Sequence, residues 1–455
     1  NLGSSMSMCG NSREVCKDAA QMPWKETLQA AEAHYDRSTA CTFSTFVGYE
    51  WTGAAYSGSN LHRNIIFESS NVPYQPISFY EAPTREELWR QLDLECLDDC
   101  NYIVIPHNSN LSNGFMFEKP NQDEILLQNI REPLVEIFQH KGSSECSLDS
   151  QDPLCSFEQL PYKDFRSKFQ NNLSPAPNSS FVREALNSGL IIQSKQNINP
   201  FKLGFIGSTD THYGTPGAVD ESAFQGGGGA GKSFRASIPD GLPDDIEFNP
   251  GGLAVVWAEE NSRTAIFNAL KRKEVYGTSG PRFLVRFFLG DNLDSDLCNQ
   301  QNAVASSYTK GVPMGATIDS NKMSKARLFV SATADFSIED QYIEKIQVIK
   351  GVIDNEKVKT SVHDIQTNEP TNLDLNSCKV QGQGVRSMCV VWEDPNFKQG
   401  DEAYYYVRVV ANKSCRWSHN LCLKNPKFCE DQKDTAIPKF IQERAWTSPI
   451  WLENS

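Results

Sequence analysis

Short apolar runs ending in polar or charged residues recur along the first part of the chain. Phe43–Tyr49 leads into Glu50. Asn60-Leu-His62-Arg63 precedes an apolar run to Phe67, Tyr102-Ile-Val-Ile-Pro106 ends at His107-Asn108, and Leu134-Val-Glu-Ile-Phe138 is followed by Gln139-His140-Lys141. Runs this short, bounded by turn-forming residues, predict strands. Between them the period changes. Leu28, Ala31 and His34-Tyr35 recur at helical spacing after Pro23, which predicts a helix starting near that proline. Thr84-Arg-Glu-Glu87 ahead of Leu88, Trp89 and Leu92 is a capping box. Residues 123–132, 181–188 and about 262–273 also read as helical.

The stretch Gly204-Phe-Ile-Gly-Ser-Thr-Asp-Thr-His212 reads as a buried strand opening into a polar loop. In extended chain, Asp210 and His212 project to the same side. A carboxylate and an imidazole converging at a strand end suit a metal ion, or an acid with its orienting partner. Further strands are predicted over 253–258 and 282–289. The strand-then-helix rhythm, with charged residues at strand C-termini, predicts an α/β layer or barrel over residues 1–290. Beyond about residue 290 the long helices stop, and runs at 326–333, 342–352, 389–392 and 403–410 predict a β-rich domain over 291–455.

Composition narrows the function. The 455 residues exceed one ordinary domain, and a net charge of -14 argues against nucleic acid or an anionic membrane surface as partner. It leaves room for a small anionic substrate, because bound metal ions can reverse the local potential. No stretch approaches the roughly 18 apolar residues of a membrane span. Thirteen cysteines occur, with near pairs Cys9/Cys16, Cys96/Cys100, Cys146/Cys155 and Cys415/Cys422/Cys429, and none in C-x-x-C spacing. Disulfides in an oxidising compartment are the simplest account, and the odd number leaves one thiol free or bonded outside this sequence. Sequons at Asn110, Asn172, Asn178 and Asn412 are compatible with secretion, so an extracytoplasmic protein is expected. The sequence opens without Met or a signal peptide, as a processed or truncated product would. The run Gly226–Ser233 formally matches a phosphate-binding loop. Asp220-Glu221 before it and Pro239 and Pro243 after it deny it the strand and helix that such a loop needs, so it reads as a flexible loop.

Strand ends thus supply Glu50, His107, His140 and the pair Asp210/His212, a set hard to ascribe to packing alone. The runs GYEWT (48–52), NLHRNIIF (60–67), IPHNSNLSNG (105–114), GFIGSTDTHYGTPG (204–217) and GGLAVVWAEENSRTAIFNALKRKEVYGTSGPR (251–282) resemble the DUF3604 family, as do IEKIQVIKG (343–351), SCRWS (414–418) and IQERAWTSPIW (441–451). That family is similar to the polymerase-and-histidinol-phosphatase (PHP) superfamily of metal-dependent phosphoesterases. The resemblance implies a distorted β/α barrel with two or three divalent ions. It implies Glu50 as a metal-bridging carboxylate, His107 and His140 as strand-end ligands, and Asp210/His212 as the closing D-x-H pair. PHP proteins open with H-x-H and T-D-H motifs, and neither occurs in this chain. A preceding segment carrying them is therefore expected.

The expected activity is hydrolysis of a small anionic phosphate ester, with the metals activating water. Zinc, manganese or iron would suit the ligands. Asp210 and His212 would belong to the catalytic set, and Arg63 or Lys141 would stabilise the anionic transition state. The alternatives are hydrolysis of another ester, such as a sulfate, and a secreted metal-binding or structural glycoprotein without turnover.

Overall fold

A computed structural model of the protein describes residues 14–55, 59–159, 176–224, 226, 248–426 and 438–454. Helix α1 spans Glu14–Ala33 with Pro23 inside it rather than at its start. An internal proline forfeits a hydrogen bond. Here Trp24 and Ala31 on the same helix are buried against the first sheet, and that packing holds the helix together across the proline.

The first sheet is antiparallel, with β1 (Val47–Trp51), β2 (Arg63–Phe67) and β3 (Tyr102–Pro106) in that order. β1 begins later than its apolar run suggested, so Glu50 lies within the strand and not after it. Helix α2 (Arg85–Glu95) starts at the expected capping box, with both reciprocal hydrogen bonds formed by Thr84 and Glu87. Its Leu88, Trp89 and Leu92 seal the sheet.

Helix α3 (Ile125–Arg131) leads into β4 (Leu134–Gln139), which pairs in parallel with β5 (Gly204–Gly207). The connection between them contains α4 (Val182–Gln196), as a parallel crossover requires. Next come β6 (Leu253–Val256), α5 (Arg263–Lys271, capped by Ser262) and β7 (Val275–Thr278). β5 lies against β7 with almost no side-chain layer between them. A Cβ at Gly277 would stand 2.7 Å from the Gly207 nitrogen, and one at Gly207 would stand 2.6 Å from the Thr278 carbonyl oxygen. Glycine is what permits this approach.

The rest of the chain is β-rich. A four-stranded sheet contains β8 (Leu284–Gly290), β10 (Arg327–Thr333) and β13 (Ser387–Glu393). The largest sheet runs β9 (Thr317–Asp319), β16 (Ile450–Glu453), β14 (Ala403–Cys415), β15 (Phe440–Thr447), β7, β6, with β11 (Ile343–Asp354) and β12 (Lys357–Thr367) joined through β14. Strands from both sides of residue 290 therefore share one sheet. Its two faces are sorted by the period of the strand. Ile346, Val348, Tyr405 and Val407 face a core with Phe287, Leu328 and Val330 of the four-stranded sheet. The alternate residues Ile349, Tyr404 and Tyr406 pack on Val135, Ile137, Leu186 and Phe205 of β4, α4 and β5.

The architecture is mixed α/β, with more strand than helix, and none of the sheets among the described residues closes into a barrel. A β/α barrel needs parallel strands joined edge to edge. Here β1, β2 and β3 are antiparallel, and only β4 and β5 pair in parallel within the first part of the chain.

A buried ion network ties the layers. Glu145 accepts from Arg408 Nη1 at 2.9 and 3.0 Å, from Arg183 at 2.7 Å and from the Trp446 indole at 2.7 Å, while Arg408 Nη2 donates to Asp152 at 2.8 Å and its Nε to Gln347 at 2.8 Å. Disulfides join Cys96–Cys100, Cys146–Cys155, Cys298–Cys389 and Cys378–Cys415. Cys415 thus bridges to Cys378 and not to its near neighbours, and Cys41 is a free thiol. Asn110 and Asn412 are buried, and each side chain is hydrogen-bonded to backbone, so these two sequons are closed to a glycan in the folded protein. Asn172 and most of the glycine run at 226–233 lie outside the described residues.

Candidate metal centre

The cluster forms where β1, the loop before β2, and the C-terminal ends of β3, β4 and β5 meet. Antiparallel pairing of β1 with β2 places Glu50 opposite Asn64, two residues from His62. The His62 Nδ1 lies 2.5 Å from Glu50 Oε1, and His107 Nε2 lies 3.4 Å from the same oxygen. The two imidazoles meet edge to face with centroids 5.7 Å apart.

On the other side stands Asp210. Its backbone is left-handed (φ 54°), so the segment is not the extended chain expected, although Asp tolerates this conformation better than most residues. Its Oδ2 gathers the Lys141 ammonium, the Gln139 amide at 3.0 Å and the Asn108 amide at 3.4 Å, with His140 Nε2 3.5 Å away.

Two groups of three ligands result. Donor atoms of Glu50, His62 and His107 lie within 4.8 Å of one another, and so do those of Glu50, Asp210 and His212. Glu50 belongs to both. His140 stays beside Asp210 without joining either triplet, its ring against Phe248 at 5.2 Å.

The electrostatics favour a cation. Burial alone would raise the Glu50 carboxyl, but His107 and His62 outweigh it and hold it well below the usual carboxylate range. Burial likewise acts to raise Asp210, and the Lys141 charge beside it reverses this, leaving Asp210 ionised. Burial pushes the His140 imidazole down to about 4, reinforced by Lys141, and burial also outweighs Glu50 to lower His62. Both rings are therefore neutral near pH 7, the form that binds metal. His107 goes the other way, because Glu50, Glu136 and Asp210 outweigh its burial. Among the described residues, the Nδ1 of His107 and the Oε1 of Glu136 are buried without a hydrogen-bond partner, and the Nε2 atoms of His107 and His140 meet only the carboxylates of Glu50 and Asp210, at 3.4 and 3.5 Å, without a well-formed hydrogen bond. Buried polar atoms are rarely left so. Orphaned imidazole nitrogens facing carboxylates form a donor set that fits a divalent transition metal.

Of the residues singled out from the sequence, Glu50, His107, His140, Lys141, Asp210 and His212 come together. Arg63 does not. Its side chain is buried, paired with Glu132 at 2.6 Å and bonded to the Leu61 carbonyl at 2.6 Å, so it is a packing element of the first sheet and cannot reach a ligand at Glu50. In its place the structure brings in His62, which was not among the ligand candidates singled out from the sequence. Glu136 was also overlooked. It is buried behind His107, bonded by the Ser208 hydroxyl, and burial pushes it up to about 7. Its alternation with Val135 and Ile137 in an otherwise apolar strand is the signal that could have found it.

Fold and site together define a mixed α/β protein with a histidine–carboxylate centre at its strand ends. The family model described as "Protein of unknown function (DUF3604)" matches residues 2–454, and the chain belongs to that family. Comparison with curated proteins gave no match.

Proposed function

We propose that the protein is a metal-dependent hydrolase of small phosphate esters, working outside the cytoplasm. The observation that carries this reading is Glu50, a single carboxylate common to two ligand triplets. One carboxylate between two sets of donors is what a pair of neighbouring divalent ions requires. His62 and His107 would serve one ion, Asp210 and His212 the other, with His140 beside Asp210. Zinc, manganese or iron all suit these donors. When bound, such ions lower the pKa of water and neutralise phosphoryl oxygens.

The protein's own residues have separate tasks in this reading. Lys141, Gln139 and Asn108 hold one oxygen of Asp210 and so aim the other at the centre. Lys141 also supplies positive charge to an anionic substrate, the part expected from the sequence of either Arg63 or Lys141. Glu136, buried near neutrality, can hold a proton close to His107. The relation to the PHP superfamily belongs to the same proposal. The disulfides favour an oxidising compartment, and no helix among the described residues is long and apolar enough to cross a membrane.

The test is metal analysis of the purified protein with a substrate panel of phosphomonoesters, phosphodiesters and sulfate esters. Bound transition metal and phosphate release, both lost in Glu50→Gln, are expected. Sulfate release alone would move the activity to another ester, and bound metal with no turnover would make this a metal-binding protein instead.

A further inference from the structure

The sequons at Asn110, Asn178 and Asn412 lie among the described residues, and the fold treats them differently. At Asn110 the amide nitrogen, the atom a glycan would occupy, donates to the Lys141 carbonyl at 3.0 Å, and the amide oxygen accepts from the Ser144 hydroxyl at 3.2 Å. At Asn412 the nitrogen donates to the Asp340 carbonyl at 3.0 Å, and the oxygen accepts from the Tyr342 N–H at 2.7 Å. The two residues are 5% and 2% exposed. A sugar on either nitrogen would displace a buried hydrogen bond and need room that a close-packed interior lacks. Chains modified there do not complete this fold.

Asn178 differs on each count. It opens a single 3-10 turn, Asn178–Ser180, directly after Pro177 and ahead of α4, and it is exposed. Its backbone carbonyl accepts from the Phe181 N–H at 3.0 Å, while its side chain bonds to no described residue. The turn is anchored from behind. The Ser180 N–H bonds to the Pro177 carbonyl at 2.9 Å, and the Val182 N–H bonds to the Ser144 carbonyl at 2.9 Å. Ser180 itself is fully buried. The asparagine amide is thus presented to solvent on a held piece of backbone, with no interior contact to give up.

We infer that Asn178 is a site of N-linked glycosylation, an inference that rests on the extracytoplasmic reading above. The co-substrate is an oligosaccharide joined through its anomeric carbon to a lipid diphosphate. The Asn178 nitrogen forms a C–N bond at that carbon and gives up one proton. The C–O bond to the diphosphate breaks, and its electron pair leaves with the lipid diphosphate. Ser180 supplies the hydroxyl that completes the sequon. Its Oγ has no hydrogen-bond partner among the described residues, so removing that hydroxyl takes no bond from the fold.

The test is secretion of the full chain from cultured animal cells behind a cleavable signal peptide. Intact mass is followed by peptide mapping after peptide N-glycosidase, which leaves Asp where a glycosylated Asn stood. Asp is expected at 178, and unchanged Asn at 110 and 412. Asn178→Gln and Ser180→Ala should each lower the mass by one glycan, which separates this site from Asn172, and both proteins should be secreted with metal content unchanged. Unmodified Asn178 in secreted protein with its disulfides formed would overturn the inference. Glycans at Asn110 or Asn412 of such protein would overturn the sorting by burial on which it depends. A chain retained in the cell with its cysteines reduced would overturn the extracytoplasmic reading, and this inference with it.

Discussion

The carboxylate of Glu50 and the imidazole of His62 touch at 2.5 Å, although eleven residues separate them in sequence. The contact exists because β1 and β2 pair in a register that leaves His62 one step beyond the last paired residues, Trp51 and Arg63. His62 is thereby a ligand candidate on the same footing as His107. His62→Ala is expected to weaken metal binding about tenfold to a hundredfold, while Arg63→Lys leaves it unchanged; metal titration by calorimetry separates the two. Equal losses in both would place the effect in the first sheet rather than in the ligand.

Lys141 and Gln139 act on Asp210 from behind. Gln139→Ala should lower metal affinity about tenfold through misorientation of Asp210, with the melting temperature of the metal-free protein little changed. In the wild type, metal at about a hundred times its dissociation constant should add about 2.7 kcal/mol of stability, read as a rise in melting temperature. A Gln139→Ala protein whose metal-dependent rise equals the wild type's would show that Asp210 needs no such support.

How much of this was legible in the sequence follows from what each element depends on. The capping box at Thr84 and the apolar run ending at Pro106 are local signals, and each stands where the chain alone put it, whereas Asp210 and His212 approach Glu50 with Asp210 in a left-handed conformation and not along the extended chain expected. Arg63 failed because strand parity, which sends it toward Glu132, depends on where β2 begins. His62 failed because its partner is chosen by register between two strands, and a single sequence does not fix register. β7, β12 and β15 went unread for a related reason. Val275–Thr278 is too short to show a period, and Lys357–Thr367 is polar on its open face.

The Glu145 network carries a pH dependence with a definite sign. Burial raises its carboxyl, but Arg408, Arg183 and Arg444 outweigh this and depress it strongly. A depressed carboxyl stabilises the fold in full above its unfolded value, about 4.3, and loses that contribution as the pH falls below it. Glu145→Gln should cost roughly 3–5 kcal/mol at neutral pH, since it strands buried guanidinium groups. Melting curves of the two proteins should converge in acid, and a gap that widened in acid would refute the assignment.

Gly277→Ala is a test of the β5–β7 contact. The new methyl would meet backbone atoms of Ile206 and Gly207 at 2.7 Å, and backbone cannot step aside as a side chain can. A loss of about 1–3 kcal/mol is expected by denaturant melting. A neutral substitution would mean that the two strands stand further apart.

The Cys298–Cys389 bridge spans 91 residues and links the start of the four-stranded sheet's long connection to β13. Replacing both cysteines with Ala should cost about 4 kcal/mol by chain entropy, without altering metal content. Loss of metal together with stability would show that the two sheets are coupled more tightly than their packing implies.

The place of β15 in the largest sheet bears on how the protein is made. β15 sits between β14 and β7, so the strand at Phe440–Thr447 is the partner that Val275–Thr278 awaits. A ribosome must travel some 160 residues after β7 emerges before that partner exists, which at about 5–20 residues per second is on the order of ten seconds or more. During that interval the nascent chain holds β6 and β7 with an open edge, and the metal-binding loops rest on a support not yet assembled. Vectorial synthesis therefore delivers the ligands long before it delivers the frame that aims them, and a protein halted before Phe440 should be a client of chaperones rather than a smaller version of this one.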